Sequence, residues 1–202
     1  MQLFETMRLE AGMIPRETYH VERISRSAKA LDIPFSQREW QQVISDLKRV
    51  HEQGCFRLKI NLSDKGVLSS EVGELMDKPF MTARLVEIDD DTSFWQRIHK
   101  TSERAFLQHD HQTDMVLFYN LEGQLLEFDI GNLVISNDQG LLTPSYHDNF
   151  LRGCMRQALL DQGEIKEADL TLHTLKTALE LEEPIWMINS LREWVPVRFI
   201  ES

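Results

Sequence analysis

The sequence predicts a mixed α and β fold in two domains. Short stretches alternate apolar and polar residues with the period of a strand, while longer stretches repeat their apolar residues with the period of a helix. The two kinds interleave from end to end, which is the pattern of a mixed fold. With 202 residues, the chain is long enough for one domain or two small ones.

Leu3 to Glu10 alternates around Phe4, Thr6 and Arg8 and reads as a strand, with Ala11-Gly12 as the turn after it. Pro15 to Leu31 carries helical spacing through Tyr19, Ile24, Ala28 and Leu31, with Pro15 near the first turn. Ser36 with Glu39 forms a capping-box pattern, predicting a helix to about Gln53 that stops at Gly54. Cys55 to Leu62 alternates as a strand, Asp64-Lys65-Gly66 is a turn and Met81 to Ile88 is another strand. Asp89-Asp90-Asp91 breaks the pattern and reads as a linker, dividing a smaller domain of residues 1–88 from a larger one of 89–202. Beyond it, strands are expected at Met115–Tyr119, Leu125–Phe128, Asn132–Ser136, Ile185–Ile188 and Val195–Phe199. Helices are expected from Gly153 to Gln162 and over much of Glu167–Leu181.

The formal net charge of −11 argues against a nucleic-acid partner, whose phosphates need a basic face. It does not forbid an anionic ligand, because a local pocket can be positive inside an acidic protein. No apolar run reaches the roughly 20 residues needed to span a bilayer. The N-terminus lacks the basic start and apolar stretch of a signal peptide, so a cytoplasmic protein with two free thiols, Cys55 and Cys154, is expected. Neither cysteine belongs to a CxxC pair. His109-Asp110-His111 could place two imidazoles on one side of a strand, but no third ligand stands at a convincing spacing, so no metal is expected. There is no G-x-S-x-G, Walker loop or HExxH.

Four separated segments carry more. Leu3-Phe4-Glu5-Thr6-Met7-Arg8 is followed by His20-Val21-Glu22-Arg23-Ile24-Ser25-Arg26-Ser27-Ala28. Next come His99-Lys100-Thr101-Ser102-Glu103-Arg104, then Leu126-Glu127 running to Asn132-Leu133. Last are Thr143-Pro144, Leu151-Arg152-Gly153-Cys154-Met155-Arg156 and the loop Asn189-Ser190-Leu191-Arg192 before Val195-Pro196-Val197. In order and spacing these resemble the class IV (branched-chain type) aminotransferases, and within them the 4-amino-4-deoxychorismate lyases.

The resemblance implies a two-domain fold of that family holding pyridoxal 5'-phosphate between the domains, in a homodimer that acts on a small amino substrate. It implies that Lys100 is the Schiff-base lysine, an amine that needs a neutral fraction to attack an aldehyde. Arg23 matches the arginine that grips the cofactor phosphate with its forked donors. Glu127 matches the carboxylate that keeps the pyridine nitrogen protonated. Gly153, Cys154 and Met155 fall where a helix start receives the phosphate, and Ser190 where a hydroxyl contacts it. Taken alone, Arg23 and Lys100 would be ordinary solvated side chains, Glu127 a strand residue and Ser190 a turn serine.

The chain departs from the family's pattern at Ile188, Phe128 and Asp129. The family's stretch ahead of the Phe-Glu-Thr strand and its helical tail after the Pro-Val segment are also expected to be missing. These departures bear on the substrate more than on the cofactor. The expected function is conversion of 4-amino-4-deoxychorismate to 4-aminobenzoate and pyruvate. A D-amino-acid or branched-chain transaminase and a non-catalytic binding protein on the same fold are the alternatives.

Overall fold

The computed structural model describes residues 1–88 and 93–200. They form two compact units, one of Met1–Asp77 with His99–Glu103, the other of Lys78–Ile98 with the chain from Arg104 on. The Asp89-Asp90-Asp91 run lies outside the described residues.

In the first unit, β1 (Gln2–Glu10), β2 (Cys55–Ser63) and β3 (Leu68–Glu74) form an antiparallel sheet in that order. The register sets Leu3 against Leu62 and Met7 against Leu58. Period-two alternation therefore gathers Leu3, Met7, Leu9, Leu58, Ile60 and Leu62 on one face. They pack with Ile24 and Ala28 of α1 (Glu17–Ala30) and with Trp40 and Ile44 of α2 (Gln37–Val50). Ser36 caps α2 as its sequence predicts, its hydroxyl accepting from the Glu39 amide at 3.3 Å. The helix ends at Val50 rather than near Gln53: the His51 amide makes the last helical bond, to the Leu47 carbonyl at 3.0 Å, and His51 itself leaves helical geometry at φ −117 and ψ 52. Gly54, with φ +93, belongs to the turn that follows. Strand β3 was not expected: it is a polar edge strand, so its residues show no apolar alternation.

The second unit runs β4 (Met81–Glu87), α3 (Phe94–Ile98), β5 (Met115–Tyr119), β6 (Leu125–Phe128), β7 (Gly131–Asn137), β8 (Gly140–Pro144), α4 (Cys154–Asp161), β9 (Lys166–Ala168), α5 (Leu172–Glu180), β10 (Ile185–Asn189) and β11 (Glu193–Phe199). The sheet order is β10-β11-β4-β5-β6-β7-β8-β9, and β7 pairs also with β10. Six strands thereby close on themselves, with parallel pairings at β11–β4 and β4–β5 and antiparallel ones elsewhere in the ring. Met81, Leu117, Phe128, Leu133, Ile135 and Met187 are among the side chains of its main core. The segment expected to be helical from Glu167 starts instead as β9, which pairs with β8. The helix begins only after Thr171, whose side chain and that of Thr174 cap each other's amides. Among the described residues, no helix is long and apolar enough to cross a membrane.

Trp40 is 1% exposed and anchors both helices of the first unit to its sheet. Trp40→Ala is expected to cost about 3–5 kcal/mol in urea unfolding of the purified protein.

Candidate active site

In the first unit, β1 supports both candidates. Its free edge is met by the segment 99–103: the Phe4 amide donates to the Lys100 carbonyl at 3.0 Å and the Ser102 amide to the Gln2 carbonyl at 2.8 Å. Lys100 is thus held by its backbone as an added strand would be, and its Nζ lies 5.0 Å from the centre of the Phe4 ring. The Lys59 ammonium lies 5.3 Å from the same ring, so this sheet face is locally basic in an acidic chain. Next to Lys100, the His99 ring Nδ1 hydrogen-bonds the Ser27 hydroxyl at 2.9 Å, and burial pushes the His99 imidazole below its ordinary range.

Arg23 projects from α1 onto Glu5, which faces the core side of β1. Its Nε donates to Glu5 Oε1 at 2.8 Å and its Nη2 to Oε2 at 2.5 Å. His20 Nδ1 is 2.7 Å from Oε2 and, facing an ionised carboxylate, must carry the proton. Burial pushes the Glu5 carboxyl up. The Arg23 charge and the hydrogen bonds from His20 and Arg23 overcome it and hold the group at about 2. Arg23 is therefore fixed in orientation by two groups whose motif is plain in the sequence but whose roles are not.

In the second unit the candidates gather at the start of β7. Glu127, on β6, sits opposite Asn132. Its Oε1 accepts from the Leu151 amide at 3.2 Å and from Arg104 Nη2 at 2.8 Å. Asn132 Nδ2 donates to the Leu151 carbonyl at 3.1 Å, so the Leu151 peptide is gripped on both sides just before α4. Gly153 is the cap residue of α4 and supplies no side-chain cap. A Cβ on Gly153 would lie 2.0 Å from Asn132 Oδ1, so only glycine fits this approach. Cys154 and Met155 open α4, whose start no side chain caps. Both side chains are buried, Met155 packing on Val134 and Ile188.

Ser190 occupies the tight loop between β10 and β11. Asn189 Oδ1 accepts from the amides of Leu191 and Arg192 at 3.0 and 2.7 Å, while its Nδ2 donates to the Ile130 carbonyl at 3.0 Å. The loop is thus tied to the turn before β7. The Ser190 hydroxyl is buried and has no hydrogen-bond partner among the described residues, and the same holds for Thr143. A buried hydroxyl left unpaired is costly. The Ser190 hydroxyl and the glycine-led start of α4 are each of a kind that suits a phosphate. The cofactor implied by the sequence therefore fits the residues of this unit. Arg104, Glu5 and His20 belong to motifs of the sequence but carry no role there, because a side chain that acts by holding another leaves no signal in sequence. His109 Nε2 lies 3.4 Å from Asp129 Oδ2 within the second unit.

The Glu5 carboxyl lies below its ordinary value of 4.5 in the folded protein, so its contribution is present above about pH 4.5 and lost as the pH falls towards 2. Urea unfolding is expected to lose about 3 kcal/mol across that window through this group, a loss that Glu5→Gln removes.

The family model "Amino-transferase class IV" matches residues 2–200. The chain is 26% identical to the aminodeoxychorismate lyase of Bacillus subtilis (strain 168), covering 99% of this chain and 78% of that protein. The crystal structure of a putative amino-acid aminotransferase from Mesorhizobium loti is similar with a TM-score of 0.83 and 25% identity, covering 98% of this chain and 99% of that one. The PLP-bound form of a hypothetical aminotransferase from Mycobacterium tuberculosis shares the fold, with a TM-score of 0.81 at 20% identity, covering 99% of this chain and 81% of that one. With the match running from one end of the sequence almost to the other, this chain belongs to the class IV aminotransferase family of enzymes.

Proposed function

We propose that this protein is a pyridoxal-phosphate-dependent lyase that converts 4-amino-4-deoxychorismate to 4-aminobenzoate and pyruvate, working as a homodimer in the cytoplasm. The observation that carries the cofactor is the buried, unpaired Ser190 hydroxyl in the unit that holds the uncapped, glycine-led start of α4. The similarity to the Bacillus subtilis lyase supports the substrate. Pyridoxal phosphate, when bound, supplies an aldehyde that takes up an amine and a ring that accepts electrons.

In this reading the chain's own residues divide the work. Ser190 and the α4 amides at Cys154 and Met155 would hold the phosphate, with Gly153 allowing its approach, and Arg23 is the arginine to which the resemblance gives that role. Glu127 would accept a hydrogen bond from the protonated ring nitrogen. Lys100 would hold the cofactor through its amine and would act on the substrate as general base. Loss of pyruvate leaves an aromatic ring, which drives the reaction forward. A transaminase acting on D-amino or branched-chain amino acids is the second reading, favoured by the likeness to the Mesorhizobium loti protein. It would use the same Arg23, Lys100, Glu127 and Ser190.

Added pyridoxal phosphate is expected to give the wild type a visible absorption band that Lys100→Ala lacks. The wild type is expected to form 4-aminobenzoate, with Lys100→Ala slower by roughly 10²–10⁴-fold. A wild type that makes no 4-aminobenzoate but transfers amino groups to 2-oxoglutarate would establish the transaminase. A wild type with no band points to the non-catalytic binding protein. Ser190→Ala breaks no hydrogen bond of the described residues, so its unfolding free energy is expected to stay within about 0.5 kcal/mol of wild type. Its affinity for pyridoxal phosphate should fall roughly tenfold, while that for pyridoxal, which has no phosphate, stays unchanged.

A further inference from the structure

We infer that Arg104 is a positioning residue for Glu127: its guanidinium fixes the carboxylate by Oε1 and keeps it ionised, ready for a cationic N–H. This rests on the proposed reading of Glu127 as the partner of a protonated ring nitrogen. Both side chains are nearly closed to solvent, at 7% exposure for Glu127 and 8% for Arg104. A carboxyl so placed takes up a proton unless a positive charge and hydrogen bonds oppose burial. Arg104 supplies the charge at 2.8 Å, and the Leu151 amide adds a neutral donor to the same oxygen. Asn132, across the β6–β7 pairing, is neutral and spends its amide on the Leu151 carbonyl, so it adds no charge.

Arg104 is itself held in place. The Nη2 that reaches Glu127 also contacts the Arg97 carbonyl in the last turn of α3, at 3.4 Å. The guanidinium carbon lies 5.4 Å from the centre of the Phe106 ring, an aromatic face that suits a weakly hydrated cation. The guanidinium is thus aimed by a backbone oxygen and a ring, as a group that sets another's orientation should be. Fixing Oε1 with two donors from separate segments also fixes the plane of the carboxylate.

The test uses the full chain. In cofactor-free protein labelled with ¹³C at glutamate carboxyls, the Glu127 signal is assigned by its loss in Glu127→Gln and titrated in the wild type, Arg104→Gln and Arg104→Lys. Glu127 is expected to titrate at least about one pH unit higher in Arg104→Gln than in wild type, a tenfold change in proton affinity, with Arg104→Lys close to wild type. Binding of pyridoxal phosphate is then compared with that of its 1-deaza analogue, which lacks the ring nitrogen. The wild-type preference for the nitrogen-bearing compound should be flat between about pH 6 and 8, and in Arg104→Gln should shrink about tenfold as the Glu127 carboxylate loses its orientation. A purely structural arginine would weaken both compounds alike and leave the Glu127 titration unmoved, which overturns the inference. Should Arg104→Gln fail to fold, a wild-type Glu127 titrating at or above the ordinary carboxylate value overturns it as well. If the wild type shows no preference between the two compounds while the titration shifts as expected, the reading of Glu127 as the ring-nitrogen partner fails and the effect of Arg104 stands.

Discussion

Strand β7 is hydrogen-bonded along both edges, and the second unit depends on it. One edge takes β10 over Asn132 to Ile135, and the other is shared by β6 at its start and β8 at its end. This double use closes six strands into a ring, and a closed ring has no free edge to slip in register. Because register is fixed, the start of β7 becomes a fixed point in space. Glu127 arrives there from β6, the end of β10 from the other side, and α4 from the Leu151 peptide. Gly131 fits only because it carries no side chain, since a Cβ would lie 2.7 Å from the Ile188 carbonyl.

Charge is handled in the two units by the same physical device. Each buries a carboxylate and holds it with an arginine from a different element, Glu5 with Arg23 in the first and Glu127 with Arg104 in the second. Such pairs add little to stability compared with apolar packing, but removing one partner leaves an unpaired buried charge. They are suited to orientation, since the forked guanidinium admits few geometries.

The strands with a buried face were legible because their side chains alternate: β1, β2 and β4 follow from period two alone. The three that were not, β3, β8 and β9, are an exposed edge strand, a short arm beyond the ring and a three-residue strand. Their pairing is imposed by neighbours and not by their own pattern. The end of α2 lies earlier than its glycine suggests because His51 leaves helical geometry three residues before Gly54, with no glycine or proline to mark the place. Of the site, the motif residues could be named from resemblance, and the fold accounts for Gly153 and Asn132 by a contact across the sheet. The dependence of Arg23 on Glu5, and of Glu127 on Arg104, joins residues far apart in sequence, and nothing in local spacing encodes it.

The closure of the ring also has a bearing on how the chain is made. Strand β4 finds its partner β11 only at the far end of the sequence, where Met81 pairs with Val197, and β1 receives its added edge only from the segment around Lys100. Neither unit is therefore finished while a ribosome is still extending its part of the chain. Early in synthesis β4 and β5 stand with open hydrogen-bonding edges, the state in which nascent β-proteins associate wrongly. The strands that seal the ring lie far in sequence from the one they close against, so closure waits on long-range pairing, the slowest kind of contact to form.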